Sequence, residues 1–291
     1  MKAPSFTKAL FLTLAAPICW SLGGVGIRLI SAPSMTIVSY RSAFMFFSLL
    51  FFLLIRDKKN ILATFRNAGL KGLVSGLLCG TTFVCFVNAL AYTTVARTLV
   101  LQGTAPIFAA VIGVLFIRER VSALGWGVVV ISVATVIYMV FDSITGGKWT
   151  GDILALGAAV LIGINIVVLR TCKDIDMIPA ACLGGFLSAV AAGFLTTTLS
   201  VTPGDFGLLV ILGVVQLGLG FFFFVTGSKH LPPVLTGLIT LLETLLAPIW
   251  TWLAIGETPS NQTLIGGSII VLMLIVFTIA ESRKNNRMGP A

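Results

Sequence analysis

One carboxylate, Glu243, stands in the middle of "LITLLETLLAPIW" (residues 238 to 250), a run that is otherwise almost wholly apolar. An ionised acid at the centre of a bilayer costs roughly 2.5–3.5 kcal/mol on insertion scales, so such a residue normally faces protein or a water-filled cavity. There it can bind a cationic group, carry a proton, or act as polar glue between helices. Thr236, Thr240, Glu243 and Ala247 recur at three- and four-residue spacing, a stripe of small and polar groups suited to an interior helix face. Trp250, two turns onward on nearly the same side, either closes a cavity wall or anchors at the membrane interface.

Three arginines offer a second kind of chemistry. Arg28, Arg41 and Arg97 fall in the outer part of their apolar runs, Arg41 about 10 Å inward at the helical rise of ~1.5 Å per residue. A planar guanidinium binds a carboxylate or phosphate in bidentate fashion, and the competing reading is snorkelling to headgroups. Snorkelling is the reading taken for Arg28, and both stand for Arg41 and Arg97. Asn88, Gln102, Asn165 and Gln216 are neutral amides inside apolar runs; each can orient a zwitterion or cross-link two helices at ~0.6–2 kcal/mol. Trp20, Ser21, Tyr92 and some of the run Phe221 to Phe224 are candidate walls of the same site. The chain has no phosphate-binding loop, zinc motif or nucleophile elbow, and its lone histidine, His230, sits beside Pro232 and Pro233. No catalytic residue, metal or cofactor is therefore assigned.

The elements that must position these residues follow from hydropathy. Of 291 residues 57% are hydrophobic and 10% are charged, too apolar for a soluble domain. About ten segments approach the ~20 residues a spanning helix needs, near 9–30, 34–55, 70–91, 95–117, 122–141, 151–170, 179–199, 205–227, 232–255 and 263–280. They are too long, and alternate too little, for barrel strands, so the fold class is an all-α integral membrane protein. The net charge of +9 sorts by side: Lys2, Lys8, Arg56, Lys58, Lys59, Arg66, Lys71, Arg118, Arg120, Arg170, Lys173, Lys229, Arg283, Lys284 and Arg287 fall on one face, and the other holds almost only Lys148. That sidedness expects ten spans in a cell inner membrane with both termini cytoplasmic, and removes the need for a nucleic-acid partner. The five cysteines lack metal-ligand spacing and read as free packing residues.

The chain also repeats itself. "APIFAAVIGVLFIRERVS" (105–122) aligns with "ETLLAPIWTWLAIGETPS" (243–260) at constant offset, pairing Ala109 with Ala247, Leu115 with Leu253, Ile117 with Ile255, Glu119 with Glu257 and Ser122 with Ser260. Arg28 closes "CWSLGGVGIRL" much as Arg170 closes "LIGINIVVLRT". Units at 1–148 and 149–291 would each hold five spans. An odd number inverts the second copy, an architecture of secondary transporters whose site lies at mid-membrane between the repeats.

With "CWSLGGVGIR", "SYRSAF", "ALAYTTVARTLVLQGTAPIFAAVIGVLFIRERVS", "VVQLGLGFFFF" and "LLETLLAPIWTWLAIGETPS", nearly the whole chain resembles the drug/metabolite transporter superfamily in its EamA-type branch. The usual Glu-Pro pair of the ninth helix is here Glu243-Thr244, with the proline displaced to Pro248. The resemblance implies a carrier of small metabolites with a central cavity lined by the first, third, fourth, sixth, eighth and ninth spans. The expected function is a secondary transporter exporting amino acids or related organic compounds by alternating access. Its partners are the small-molecule substrate, the bilayer and a proton or counter-substrate, with the chain a monomer or weak homodimer. Uptake of a cofactor or nucleotide-like metabolite such as S-adenosylmethionine is the alternative within the family, and a lipid-modifying membrane enzyme the alternative outside it.

Overall fold

The computed structural model describes residues 6–117, 123–145, 149–172, 175–228 and 233–287. Among them every regular element is helical: α1 (Phe6–Arg28), α2 (Ser34–Asp57), α3 (Ile61–Tyr92), α4 (Val95–Gln102), α5 (Ala105–Ile117), α6 (Ala123–Thr145), α7 (Trp149–Arg170), α8 (Ile178–Leu195), α9 (Pro203–Ile211), α10 (Gly220–Ser228), α11 (Pro233–Ile255) and α12 (Asn261–Arg287). A single 3-10 turn (Lys58–Asn60) joins α2 to α3, and a π-helical stretch (Leu212–Leu219) joins α9 to α10. Among the described residues seven stretches are long and apolar enough to cross a membrane: Thr7–Arg28, Ser34–Asp57, Ile61–Tyr92, Val95–Phe116, Trp149–Leu169, Ile178–Leu195 and Pro203–Phe224. Shorter apolar stretches lie in α6, α11 and α12. The chain is an all-α, multi-pass membrane protein, since helices satisfy every backbone group without water.

Three departures from plain spans stand out. The helix at the start of α3 begins at Ile61 rather than near 70, and the chain kinks at Gly69 (φ 54°, ψ −150°) before the span proper. The fourth expected span is interrupted at Gly103–Thr104, between α4 and α5. Pro106 supplies the reason, for it has no N–H to return to the Gln102 carbonyl one turn earlier. The eighth expected span carries the π stretch in its middle. Pro17 and Pro248, by contrast, stand inside continuous helices.

Small residues let the helices approach. A Cβ added at Gly184 of α8 would come within 2.8 Å of the Gly76 carbonyl oxygen of α3, and one at Gly80 within 2.9 Å of the Gly184 carbonyl. Gly185, next in sequence, meets α2 instead, 3.1 Å from the Ser42 carbonyl by the same measure. One helix thus shows small faces to two neighbours, and packing rather than a hydrophobic difference from lipid holds the three together. Ile37, Val38, Phe86, Val87, Leu90, Val95, Leu99, Leu209 and Leu212 fill the largest buried cluster, where α2, α3, α4, α9 and the π stretch meet α1.

The main packing pairs are few. α3 packs on α7 and α8; α1 packs on α10, the π stretch and α11; α2 packs on α8 and the π stretch; α4 and α5 pack on α7; α6 packs on α12, and α4 on α11. All five cysteines are free.

Candidate functional site

Arg41 organises the best-defined polar cluster within the spans. Its side chain issues from α2 at a buried position, 3% exposed, and its Nε and Nη2 donate to Gln216 Oε1 at 3.1 and 2.9 Å. Gln216 Nε2 turns the other way and donates to the Trp20 carbonyl of α1 at 3.3 Å, which fixes which end of the amide faces the guanidinium. The Phe86 ring of α3 lies 5.8 Å from the guanidinium carbon, within cation–π range. Glu243 of α11, half-buried, is close enough to Arg41 for the two charges to act on each other, yet they make no ion pair within 4.0 Å. Among the described residues Arg41 has no carboxylate partner.

The local backbone explains how Gln216 reaches Arg41. It belongs to the π stretch, whose wider turn re-aims side chains, a feature frequent at functional sites. Gly213 opens that turn, and a Cβ there would sit 2.3 Å from Phe44 Cβ and 2.7 Å from the Arg41 carbonyl oxygen. Only glycine admits α2 so close.

Beside this cluster Trp20 forms edge and tilted contacts with Phe221 and Phe224, at 5.5 and 5.2 Å between centroids. Trp250 Nε1 donates to Ser21 Oγ at 3.0 Å, so α11 is tied to α1 through two residues expected in one site. Trp20, Ser21, Arg41, Gln216, Glu243 and Trp250 thus stand on a run of neighbouring elements, α11 packing on α1, α1 on the π stretch and the π stretch on α2.

The remaining expected residues take other positions. Arg97 of α4 is committed to Asp152 in the first turn of α7, Nε to Oδ1 at 2.7 Å and Nη2 to Oδ2 at 2.9 Å, with both residues buried. Asn88 donates to the Val84 carbonyl of its own helix at 2.8 Å. Asn165 donates to Cys79 Sγ at 3.3 Å, and its Oδ1, like Gln102 Oε1, is buried with no donor among the described residues. Tyr92 ends α3 and is 57% exposed. Thr240 is half-buried. Thr236 and Arg170 side chains, Glu119 and His230 lie outside the described residues.

Asp152 was not singled out from sequence. The signal was present, because an acid in the first turn of an apolar span is as costly as an arginine near the end of another, and each is the other's cheapest partner. Glu257 drew notice only as a repeat position. In space it accepts the Val95 N–H at 2.7 Å and lies 3.3 Å from Arg28 Nε. Arg28 also donates to the Thr93 carbonyl, so it is held by protein rather than left to headgroups.

A chemical reading follows from the contrast between two buried arginines. Arg97 is neutralised, while Arg41 is held by a neutral amide and a ring, with N–H groups left over and a carboxylate near but not on it. Such a site can receive an anionic group at Arg41 and a cationic or hydrogen-bond-donating group toward Glu243. Among the described residues no group of three or more histidine, cysteine or acidic side chains could hold a metal.

The EamA-like transporter family matches the chain twice, over residues 7–141 and 149–279. The biotin transporter of Escherichia coli (strain K12) is 26% identical over 240 residues, covering 77% of each chain. The pseudopaline exporter CntI of Pseudomonas aeruginosa (strain UCBPP-PA14) is 24% identical over 250 residues, covering 84% of this chain and 86% of that one. A chain known from a crystal structure superposes with a TM-score of 0.65 at 17% identity, over 95% of this chain and 99% of that one, a likeness of fold.

Proposed function

Because the chain belongs to the EamA-like transporter family, we propose that it is a secondary carrier of small polar metabolites bearing a carboxylate, with amino acids and related organic compounds the class its site suits. It is a transporter rather than an enzyme. The observation that carries the substrate class is Arg41, a buried cation with no ion-pair partner among the described residues. An unpaired buried charge is expensive, and a substrate carboxylate would supply the missing partner while Glu243 meets an amino group or a proton. The names of two relatives fit a small organic cargo: one is a biotin transporter and the other an exporter. Export is retained as the direction on the second of these.

The mechanism proposed is alternating access between inverted repeats at 1–148 and 149–291. Two observations support it. The family matches once in each unit. The strongest packing pairs also exchange when α1 is set against α7, α2 against α8, α3 against α9 to α10, α4 and α5 against α11, and α6 against α12. Under that exchange α3 on α7 becomes α1 on the π stretch and α10, α5 on α7 becomes α11 on α1, and α2 on α8 maps to itself. An exchange that conserves the main packing pairs is what a two-fold axis would produce, and a site between repeats is where such carriers hold their substrate.

Counterflow in proteoliposomes tests the reading. Vesicles loaded with one unlabelled candidate from a panel of amino acids, dicarboxylates, biotin and S-adenosylmethionine should take up the same labelled compound transiently above equilibrium. A carboxylate-bearing compound is expected to give the overshoot. No overshoot for any member, with folded protein in sealed vesicles, contradicts the substrate class.

A further inference from the structure

We propose that Glu257 is the moving half of a latch that closes one mouth of the carrier, and that Arg97 with Asp152 is the fixed pivot beside it. The inference rests on the alternating-access reading and concerns its gating. Its geometry converges on the start of α4. Gly256 ends α11 with a left-handed φ of 68°, a conformation glycine adopts without steric cost, and this turns the chain so that Glu257 faces the α3–α4 junction. Glu257 Oε1 accepts the Val95 N–H, one of the orphan donors at the head of α4, where a negative charge is also favoured by the helix dipole. Its Oε2 meets Arg28 at the end of α1, and Arg28 in turn donates to the Thr93 carbonyl. One carboxylate thus joins the α11–α12 loop of the second repeat to α1 and α4 of the first.

Two links between the repeats meet here, and they differ in how easily they break. Arg97 and Asp152 are 6% and 0% exposed, bidentate and at hydrogen-bond distance. Parting them would leave two buried charges uncompensated, so they stay together through the cycle. Thr93 packs against the same turn of α7, where a Cβ at Gly151 would lie 2.9 Å from Thr93 Cβ. Arg28 and Glu257 retain 28% and 19% side-chain exposure and sit 3.3 Å apart. Part of each side chain reaches water, which can take over the charge when the two separate, and the Arg28 Nε in the contact makes no hydrogen bond. A carrier needs a closure of this kind, strong enough to bias the resting state and weak enough for substrate to reverse. The face that carries Arg28, Thr93 and Glu257 is therefore closed in this conformation by a breakable contact, hinged on one that does not break.

Thiol accessibility tests this without any substrate. In a background with all five cysteines replaced, Thr98→Cys and Leu99→Cys each place a reporter at a buried site one turn beneath Val95. A membrane-impermeant maleimide is applied to right-side-out and inside-out vesicles, so that the side of entry is read as well. Glu257→Gln keeps an oxygen for the Val95 N–H but removes the ion pair, and Arg28→Gln removes it from the other end. Each is expected to raise the labelling rate about fivefold from the Glu257 side only, the double variant no more than either single one. Unchanged rates in variants that purify as folded protein would overturn the latch. A rise with Glu257→Gln but not with Arg28→Gln would overturn it too, leaving only a helix cap. Faster labelling in a protein that fails every counterflow assay would keep the latch and remove the substrate reading.

Discussion

Arg41 and Arg97 have the same chemistry and opposite fates, and the difference lies in what each can reach. Arg97 reaches Asp152 across the α4–α7 contact and is paid off in full, whereas Arg41 reaches Gln216 and Phe86. If the first pair serves structure alone, its loss should show in folding before it shows in rate. Asp152→Asn is expected to lower stability by about 3–5 kcal/mol, read as a large fall in thermal unfolding temperature in detergent, because it strands a buried guanidinium. A combined Arg97→Met/Asp152→Leu variant should recover most of that loss, and failure to recover it would mean the charges themselves are required. Glu243 is expected to act in the cycle rather than in folding. If it carries a coupling proton, Glu243→Gln should abolish gradient-driven accumulation and spare exchange; if it binds an amino group, the same change should weaken affinity for zwitterions alone. Wild-type behaviour in both assays would leave Glu243 a structural acid. Sequence alone could mark both arginines as costly, since cost depends on residue type and depth. It could not divide them, because the dividing partners lie 55 and 175 residues away.

At the scale of elements, hydropathy located the helices closely, for the length of a span and its apolar content are local properties. The irregularities were less legible. The break at Gly103–Thr104 has a local cause in Pro106, whereas the π stretch at Leu212–Leu219 coincides with the close approach of α2 at Gly213, a tertiary contact no window average contains. α8 shows the same limit: Gly185, Ala189 and Gly193 recur every four residues, yet Gly184, outside that series, is the residue that meets α3. Gly213→Val is the element-scale prediction. Its side chain would meet Phe44 Cβ and the Arg41 carbonyl, so α2 and the π stretch must part and Gln216 must leave Arg41. Transport should fall at least tenfold with a stability loss of about 1–3 kcal/mol, the usual cost of overpacking. Full activity in that variant would show that the close approach is incidental to the site.

For the whole molecule, alternating access between inverted repeats requires ten crossings, both termini on the cytoplasmic side, and two halves related by a half-turn in the membrane plane. Reporter fusions placing the C-terminus outside would remove the even span count, and with it the inversion. The proposed halves rest in sequence on the motif around Glu119 and Glu257 recurring at fixed offset, while the packing exchange that supports them became visible only with the helices in place. Whether the carrier takes carboxylate-bearing substrates reduces to whether Arg41 receives a carboxylate. The direct measurement is initial-rate transport of a carboxylate substrate and its primary amide, in the same proteoliposomes, by wild type and by Arg41→Gln. Wild type should favour the acid at least tenfold, and Arg41→Gln should bring the ratio close to one by slowing the acid while leaving the amide near its original rate. An equal loss for acid and amide in a folded Arg41→Gln protein would contradict the account and return Arg41 to a purely structural role.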